Sequence, residues 1–581
     1  MNARSVIFLW MAAVPAARAA LWVALDSPSQ DPPAVGDVVF VDATSGDASG
    51  SDVWYRFRVR RPDGTFQTIM DYGPSNSLEW TASRSEGTYE IEVTARDLAT
   101  GETATTSTIY QIAPRIVGDE PGVSATANGL VFLYSAPPCA AGRRMAVVFE
   151  SQFGSTTTPF KDCVPGSTMN FYLAGLKAGT SYKAHHTFQS EPASNDGPTV
   201  TFETDPMDLP IVGYTVKEAP PVPLQGILLQ STLTELTVAT DLYGNPVWFY
   251  PHELTSLTRP GNGSMYGIIQ DPAADPSYQI VREFDLAGVT LRETNAARIN
   301  EQLKALGRAP ISGFHHEALP LPRERIAVLA STERILTDVQ GEGDVDVIGD
   351  MILVLDRDLH VVWTWDTFDH LDPHRMATLN ETCAVGGGGC PPFYLAEIAN
   401  DWTHGNALQL TADGNLLYSC RHQDWLIKID YRQGDGTGDI LWRMGKDGDF
   451  TMDSTDPYPW FSHQHDPGFL AGDQTLLAVF DNGNVRHGQD PTANSRGQVL
   501  RVNEDQRTVS LVLNADLGAY SLALGSAQQL PNGNYHFELG WIMPGTTSRA
   551  VEVDPQGQIV YAMDAATLIY RSFRLPDLYA K

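Results

Sequence analysis

Residues 401–430 read DWTHGNALQLTADGNLLYSCRHQDWLIKID. Two strand-like runs, ALQL and NLLYSCR, flank the turn TADG, and polar residues gather at the strand ends. His404 and Asn406 open the first strand; Arg421 and His422 close the second. An imidazole, an amide and an arginine at one end of a hairpin suit a bound oxyanion, because guanidinium is a permanently charged, planar fork of five donors. A polar network that merely closes the hairpin is the plainer reading.

The same kind of unit recurs outward from this hairpin. An aspartate or asparagine, a turn and a β-branched or aromatic strand appear at Asp241 (DLYGNPVWFY), Asp285 (DLAGVTLRE), Asp356 (DRDLHVVWTWD), Asp430 (DYRQGDGTGDILWRMG), Asn503 (NEDQRTVSLVL) and Asp554 (DPQGQIVYAMD). Inner strand pairs precede them, most clearly in ALPLPRERIAVLA, ALQLTADGNLLYS, PGFLAGDQTLLAVF and AQQLPNGNYHFEL. Four short strands per repeat predict a six-bladed β-propeller over residues 210–581, with a channel that takes ligands at one mouth. Upstream, strand runs such as VWYRFRVRR and TYEIEVTARD predict an immunoglobulin-like sandwich over 25–115. Runs such as GLVFLYSA and MAVVFES, with the Leu176-x-x-Gly179-Thr180-x-Tyr182 corner, predict a fibronectin type III-like sandwich over 118–206. The expected fold class is all-β: a six-bladed propeller preceded by two sandwiches. His185 and His186 are adjacent on one strand, so they face opposite ways and cannot form one site.

The chain has 581 residues, too many for one ordinary core. Its 39 basic and 70 acidic residues give a formal charge of −31, which argues against a nucleic-acid partner. Arg4, the apolar run VIFLWMAAVPA and Ala17-Arg18-Ala19 read as a signal peptide over 1–19, too short to span a bilayer. The mature protein is therefore expected to be secreted or periplasmic, with no membrane span. Five cysteines fit that setting: Cys139 with Cys163 and Cys383 with Cys390 form plausible pairs, leaving Cys420 as a buried thiol.

Aligned on their inner strands, three repeats aim histidines at one mouth. FHHEALPL offers His315 or His316, DWTHGNALQL offers His404, and FSHQHDPGFL offers His463 and His465. Counting back from Ala318 and Ala407 pairs His315 with His404. Three imidazoles could hold a metal, but Arg421 at the same mouth would repel a cation, so no metal is expected. No HExxH pair, GxSxG elbow or Walker loop is present. A histidine nucleophile facing an anion fits better.

Several pieces then carry a specific resemblance: FHHE, DWTHGN, SCRHQDWLIKI, SHQHDPGFL followed by VFDNG at 479–483, and the terminal YRSFRLPDLY. From about residue 210 to its end the chain resembles the bacterial arylsulfate sulfotransferases. The resemblance implies a six-bladed propeller that moves a sulfuryl group from a phenolic sulfate donor to a phenol acceptor through a sulfohistidine. It also implies independence of a nucleotide sulfate donor, hence no cofactor. By position, His465 matches the nucleophile, His404 and Arg421 match residues on the sulfuryl oxygens, His315 matches a further histidine, and Asn406 is a supporting donor. The family's short disulfide loop just before the nucleophile has no counterpart here. His463 rivals His465 as nucleophile and His316 competes with His315; each is otherwise a substrate-binding neighbour. A non-catalytic secreted binding or adhesion protein is the alternative. A sulfatase-like hydrolase is disfavoured by the lack of a C-x-P-x-R segment. The oligomeric state is left open.

Overall fold

The computed structural model describes residues 20–580 apart from short stretches at 27–30, 47–51, 193–194, 208, 210, 223, 234, 253–255, 258–263, 271–273, 385–386, 388–389 and 393. The segment read as a signal peptide, 1–19, lies outside the described residues. Among the described residues no helix is long and apolar enough to cross a membrane.

The chain is all-β. Near its start, strands Trp22–Leu25, Val38–Gly46 and Ser77–Thr81 form one sheet, facing a second built from Phe66–Gly73, Val53–Arg60, Gly87–Asp97 and Thr103–Ile112. Alternating side chains from both close over Phe57, Trp80, Ile91 and Val93. The first strand begins at Trp22, ahead of the boundary at 25 read from sequence. A second pair of sheets follows, with Tyr134, Val147, Phe171 and Leu173 in its core and a disulfide between Cys139 and Cys163. Its tyrosine corner is made: the Lys177 N–H donates to Tyr182 Oη at 2.8 Å. His186 is buried against Tyr134, whereas His185 turns outward toward Asp196.

From residue 227 the described residues form six antiparallel four-stranded meanders. The first closes the chain on itself, because the C-terminal strand Ile569–Leu575 pairs with Ile227–Thr232. Gly313–Leu321, Gly405–Leu410, His465–Leu470 and Ser526–Gln529 head the third to sixth meanders and pack on one another in sequence. Gln409 clamps the next heading strand through both ends of its amide, to Phe469 O (2.9 Å) and Phe469 N (2.7 Å), and Gln528 does the same to Arg574.

The repeated acidic residue has a local cause. Oδ1 of Asp241, Asp285, Asp356 and Asp554 each accepts the N–H groups two and four residues on, at 2.8–3.0 Å, so one side chain organises the turn between third and fourth strands. The left-handed residue of these turns is Gly244, Gly288 or Gly557, and in the third meander Leu359 at φ 67°.

An aromatic residue on the fourth strand of the first, third, fourth and sixth meanders ties neighbours together. Trp248 Nε1 donates to Leu286 O (2.7 Å), Trp365 Nε1 to Gly438 O (2.9 Å), Trp442 Nε1 to Glu504 Oε2 (2.9 Å) and Tyr561 Oη to Leu242 O (3.0 Å). Each reaches the acidic turn of the following meander, and the last link runs from the sixth back to the first. The meanders also join the first sandwich: Thr290–Asn295 pairs in parallel with Phe66–Gly73, making one eight-stranded sheet, and Arg298 meets Asp71 at 3.3 Å.

Trp365→Ala removes both a core-filling ring and an inter-meander hydrogen bond, so chemical denaturation is expected to show a loss of ~3–5 kcal/mol. The half-buried Trp363 on the same strand should cost less.

Candidate functional site

The strand entrances of the third, fourth and fifth meanders converge. Each carries a register break: between Phe314 and Ala318, between Gly405 and Ala407, and between His465 and Gly468. Such bulges re-aim side chains at sheet ends. His316, His404 and His463 sit here in the left-handed region, with φ of 58°, 49° and 53°. That conformation costs an ordinary residue on the order of 1 kcal/mol or more, and persists only where surrounding contacts enforce it.

The rings touch in a chain. His315 meets His316 at 5.0 Å between centroids, His316 meets His404 at 5.0 Å, His404 stacks on His422 at 4.5 Å, and His422 meets His463 at 5.6 Å. Arg421 and His404 are close enough to act electrostatically on His465. His315, His316, His404, Arg421, His463 and His465 therefore gather at one place.

Hydrogen bonds assign the imidazoles different states. His465 Nδ1 faces two acceptors, Asn482 Oδ1 at 2.7 Å and the His463 carbonyl at 3.1 Å. The orientation of Asn482 follows from its amide nitrogen, which donates to Ser521 O and Leu524 O. His465 thus carries its proton on Nδ1 and a lone pair on Nε2, where the Leu524 N–H approaches at 3.2 Å. Burial, then the Arg421 charge, push its pKa well below the usual histidine range, so the ring is neutral. His463 is the opposite. Its Nδ1 lies 3.0 Å from Asp424 and its Nε2 bonds Glu381, leaving no lone pair to attack with. Burial and Arg421 work against its charge, but the two carboxylates prevail and raise its pKa.

His404 gives Nδ1 to Asp401 Oδ2 at 2.6 Å. His422 donates Nδ1–H to the Asp401 carbonyl at 2.7 Å and accepts from Arg421 Nη1 on Nε2; burial first, then His404 and Arg421, hold it neutral. Arg421 is 8% exposed. Its Nη2 reaches Leu522 O at 3.4 Å and its Nε is buried without a partner, which leaves donor capacity facing the cluster. Asn406 is fully buried, and its Nδ2 donates to Gln464 O at 2.7 Å, fixing the backbone beside His465.

Two placements depart from the aligned sequence. Counting back from Ala318 selects His315, yet His316 shares the left-handed backbone of His404 and packs against it, because the two bulges do not carry the same number of residues. His315 is turned to Asp350, 3.0 Å from Nε2. Asp350, Asp401, Glu381, Asp424 and Asn482 escaped notice as site residues. Asp401, Asp424 and Asn482 lie inside quoted motifs; the other two carry no sequence signal. Cys383 and Cys390 are joined, and Cys383 Sγ lies 3.5 Å from the Asp401 carboxylate. Cys420 is free and buried.

Glu381, His422 and His463, or Asp401, His404 and His422, could together hold a metal by proximity. Both nitrogens of the shared His422 are engaged, one by a guanidinium, so an ion at either place would have to displace Arg421.

Against known proteins, the model of the arylsulfotransferase (ASST) family matches residues 203–571, more than half of the chain. The chain belongs to the arylsulfotransferase family. No curated protein matches it. Among solved structures, a two-domain fibronectin type III segment of chicken tenascin is similar at 16% identity, covering 31% of this chain and 95% of that one, with a TM-score of 0.14. Family membership supports arylsulfotransferase activity in general and small-molecule substrates for this arylsulfotransferase.

Burying neutral rings has a pH signature. His316, His422 and His465 all have depressed pKa values in the fold. An unfolded histidine takes up its proton near pH ~6.5, so their contribution to stability is present above that value and is lost as pH falls below it. The melting temperature is expected to drop between pH 7 and pH 5. His422→Asn should flatten the slope.

Proposed function

We propose that this arylsulfotransferase moves a sulfuryl group from a phenolic sulfate ester to a phenolic acceptor by a ping-pong route through N-sulfated His465. The observation that carries this reading is the fixed tautomer of His465, a neutral ring with its proton on Nδ1 and its lone pair on Nε2, close enough to Arg421 and His404 to feel their charge. A nucleophile needs that lone pair, and the rival His463 has none to offer.

In the first half-reaction the Nε2 lone pair forms an N–S bond while the bond from sulfur to the phenolic oxygen breaks, and the electron pair departs with the phenolate. The Leu524 N–H contact, at 3.2 Å, is at the long end of the hydrogen-bond range and is given up at little cost. The acceptor oxygen then attacks sulfur, and the N–S pair returns to Nε2. Arg421, with its unpartnered Nε, and His404, held through Nδ1 by Asp401, would stabilise charge on the sulfuryl oxygens. No nucleotide or metal enters this route.

The six meanders read as blades of a propeller over 210–581, with the histidines at one mouth and the two sandwiches over 25–115 and 118–206 as its support. A secreted or periplasmic setting is supported by the two disulfides.

Incubation with 4-nitrophenyl sulfate in the absence of acceptor should add the mass of one sulfuryl group to the wild type, mapped to His465, and phenol should discharge it. His465→Ala is expected to lose the adduct and to lower transfer by on the order of 10³-fold or more. Arg421→Lys, which removes the planar fork but keeps the charge, should lower it by ~10²-fold. A variant lacking His465 that still turns over with a phenol acceptor would refute the route.

A further inference from the structure

We propose that Asp350, His315 and His316 form a proton relay that serves the phenolic oxygen in both half-reactions, an inference that rests on His465 carrying the sulfuryl group. The three groups run in line from a buried carboxylate to the histidine cluster. Asp350 Oδ1 lies 3.0 Å from His315 Nε2, and His315 Nδ1 lies 2.8 Å from His316 Nδ1. His316 then presents its ring to His404 and to Tyr570, at 5.0 and 5.4 Å between centroids. Because its Nδ1 is the atom bonded to His315, its Nε2 is the nitrogen left for a ligand.

Asp350 is built to remain an anion. Its Oδ2 accepts from Thr403 Oγ1 (2.5 Å), the Gly405 N–H (2.7 Å) and Tyr418 Oη (2.5 Å). Gly405 permits this convergence, since a Cβ there would lie 2.3 Å from the Tyr418 ring. Burial alone would raise the Asp350 pKa, but His315, Thr403 and Tyr418 outweigh it and lower it. His316 is held neutral by burial, then by His315, His404, His465 and Arg421. Of the two rings it is His315 that has a carboxylate against it, which makes it the place from which the relay draws its proton.

The proton then balances over one cycle. In this scheme the cycle starts with the mobile proton on His315, Nε2–H toward Asp350 and Nδ1–H toward His316, and with Nε2–H on His316. As the donor's S–O bond breaks, the departing phenolate takes the Nε2 proton of His316, and the His315 Nδ1 proton passes to His316 Nδ1. Both rings are then neutral and His316 Nε2 bears a lone pair. The acceptor phenol gives its proton to that lone pair as it attacks sulfur, and the Nδ1 proton returns to His315. His316 is in this scheme a catalytic residue; His315 and Asp350 are positioning residues that act through it.

A general acid matters most when the leaving group is poor, so the test is the dependence of the first half-reaction on the donor phenol. Single-turnover phenol release is measured for wild type, His316→Gln, His315→Gln and Asp350→Asn with 4-nitrophenyl sulfate and with phenyl sulfate. The variants are expected to lose ~10²–10⁴-fold with phenyl sulfate and far less with 4-nitrophenyl sulfate, all three steepening in the same way. Equal losses with both donors, or a steepening confined to His316→Gln, would overturn the relay while leaving the His465 adduct intact. Absence of the adduct in wild type would instead remove the reading on which the relay rests. If Asp350→Asn does not fold, the two histidine variants carry the comparison, since a relay requires both to steepen.

Discussion

A buried imidazole is neutral unless a carboxylate lies against it, and the molecule's chemistry follows from where carboxylates were placed. His463 has two, Asp424 and Glu381, and is a cation with no free lone pair. His465 has none, only an amide oxygen and a carbonyl, and is neutral with its lone pair on Nε2. His315 has Asp350 and His404 has Asp401, while His316 and His422 are packed against other rings and stay neutral. Six rings of one chemical type thus differ in charge and in which nitrogen is open. The proposed nucleophile and the proposed relay can coexist beside the carboxylate-held His463 because each of these rings has one nitrogen already committed.

Holding that pattern requires strand entrances that do not move. Fourth-strand aromatics fasten four of the meanders to the acidic turn of the next, and pairing of the C-terminal strand with Ile227–Thr232 ties the end of the chain into the first meander. Beneath the histidines, Arg571 bridges Glu317 at 2.8 Å and the Asn406 carbonyl at 3.1 Å, tying the last strand to the third and fourth meanders. The left-handed turns at His316, His404 and His463 lean on this scaffold. Their strain is local, and the packing that sustains it is distributed around the whole set of sheets.

Much of this was legible in the residue pattern, because it repeats. The acidic turns recur because in four of them one carboxylate satisfies two N–H groups, and the aromatics on four of the fourth strands recur because each finds the next turn. Both disulfides and the corner at Tyr182 were likewise readable from spacing. What resisted reading is what does not repeat. Counting from Ala318 could not reveal a bulge that brings His316 rather than His315 against His404. Asp350 lies in DVDVIGDMILVLD, a run whose period says only that it is a strand, and nothing local marks it as the hub of a site 50 residues away. Glu381 belongs to a connection, where periodicity is silent.

That connection supplies the last step. Between Val361–Asp366 and Gly405–Leu410 the chain does not turn directly into the next meander; it runs through Thr382–Ala384 and Ile398–Asp401, which pair with each other beside Asp344–Leu355. Two of the carboxylates that sort the histidines, Glu381 and Asp401, are delivered by this excursion, and the Cys383 to Cys390 disulfide staples it next to Asp401. The meanders contribute the imidazoles and the guanidinium; the inserted segment contributes much of the negative charge that decides which of them are protonated. A change confined to residues 371–404 could therefore re-sort the rings without altering any residue of the strand entrances in the third or fifth meander. Divergence in donor and acceptor preference within such a fold would then be concentrated in that connection, where loops tolerate change, rather than in the strands that hold the rings in place.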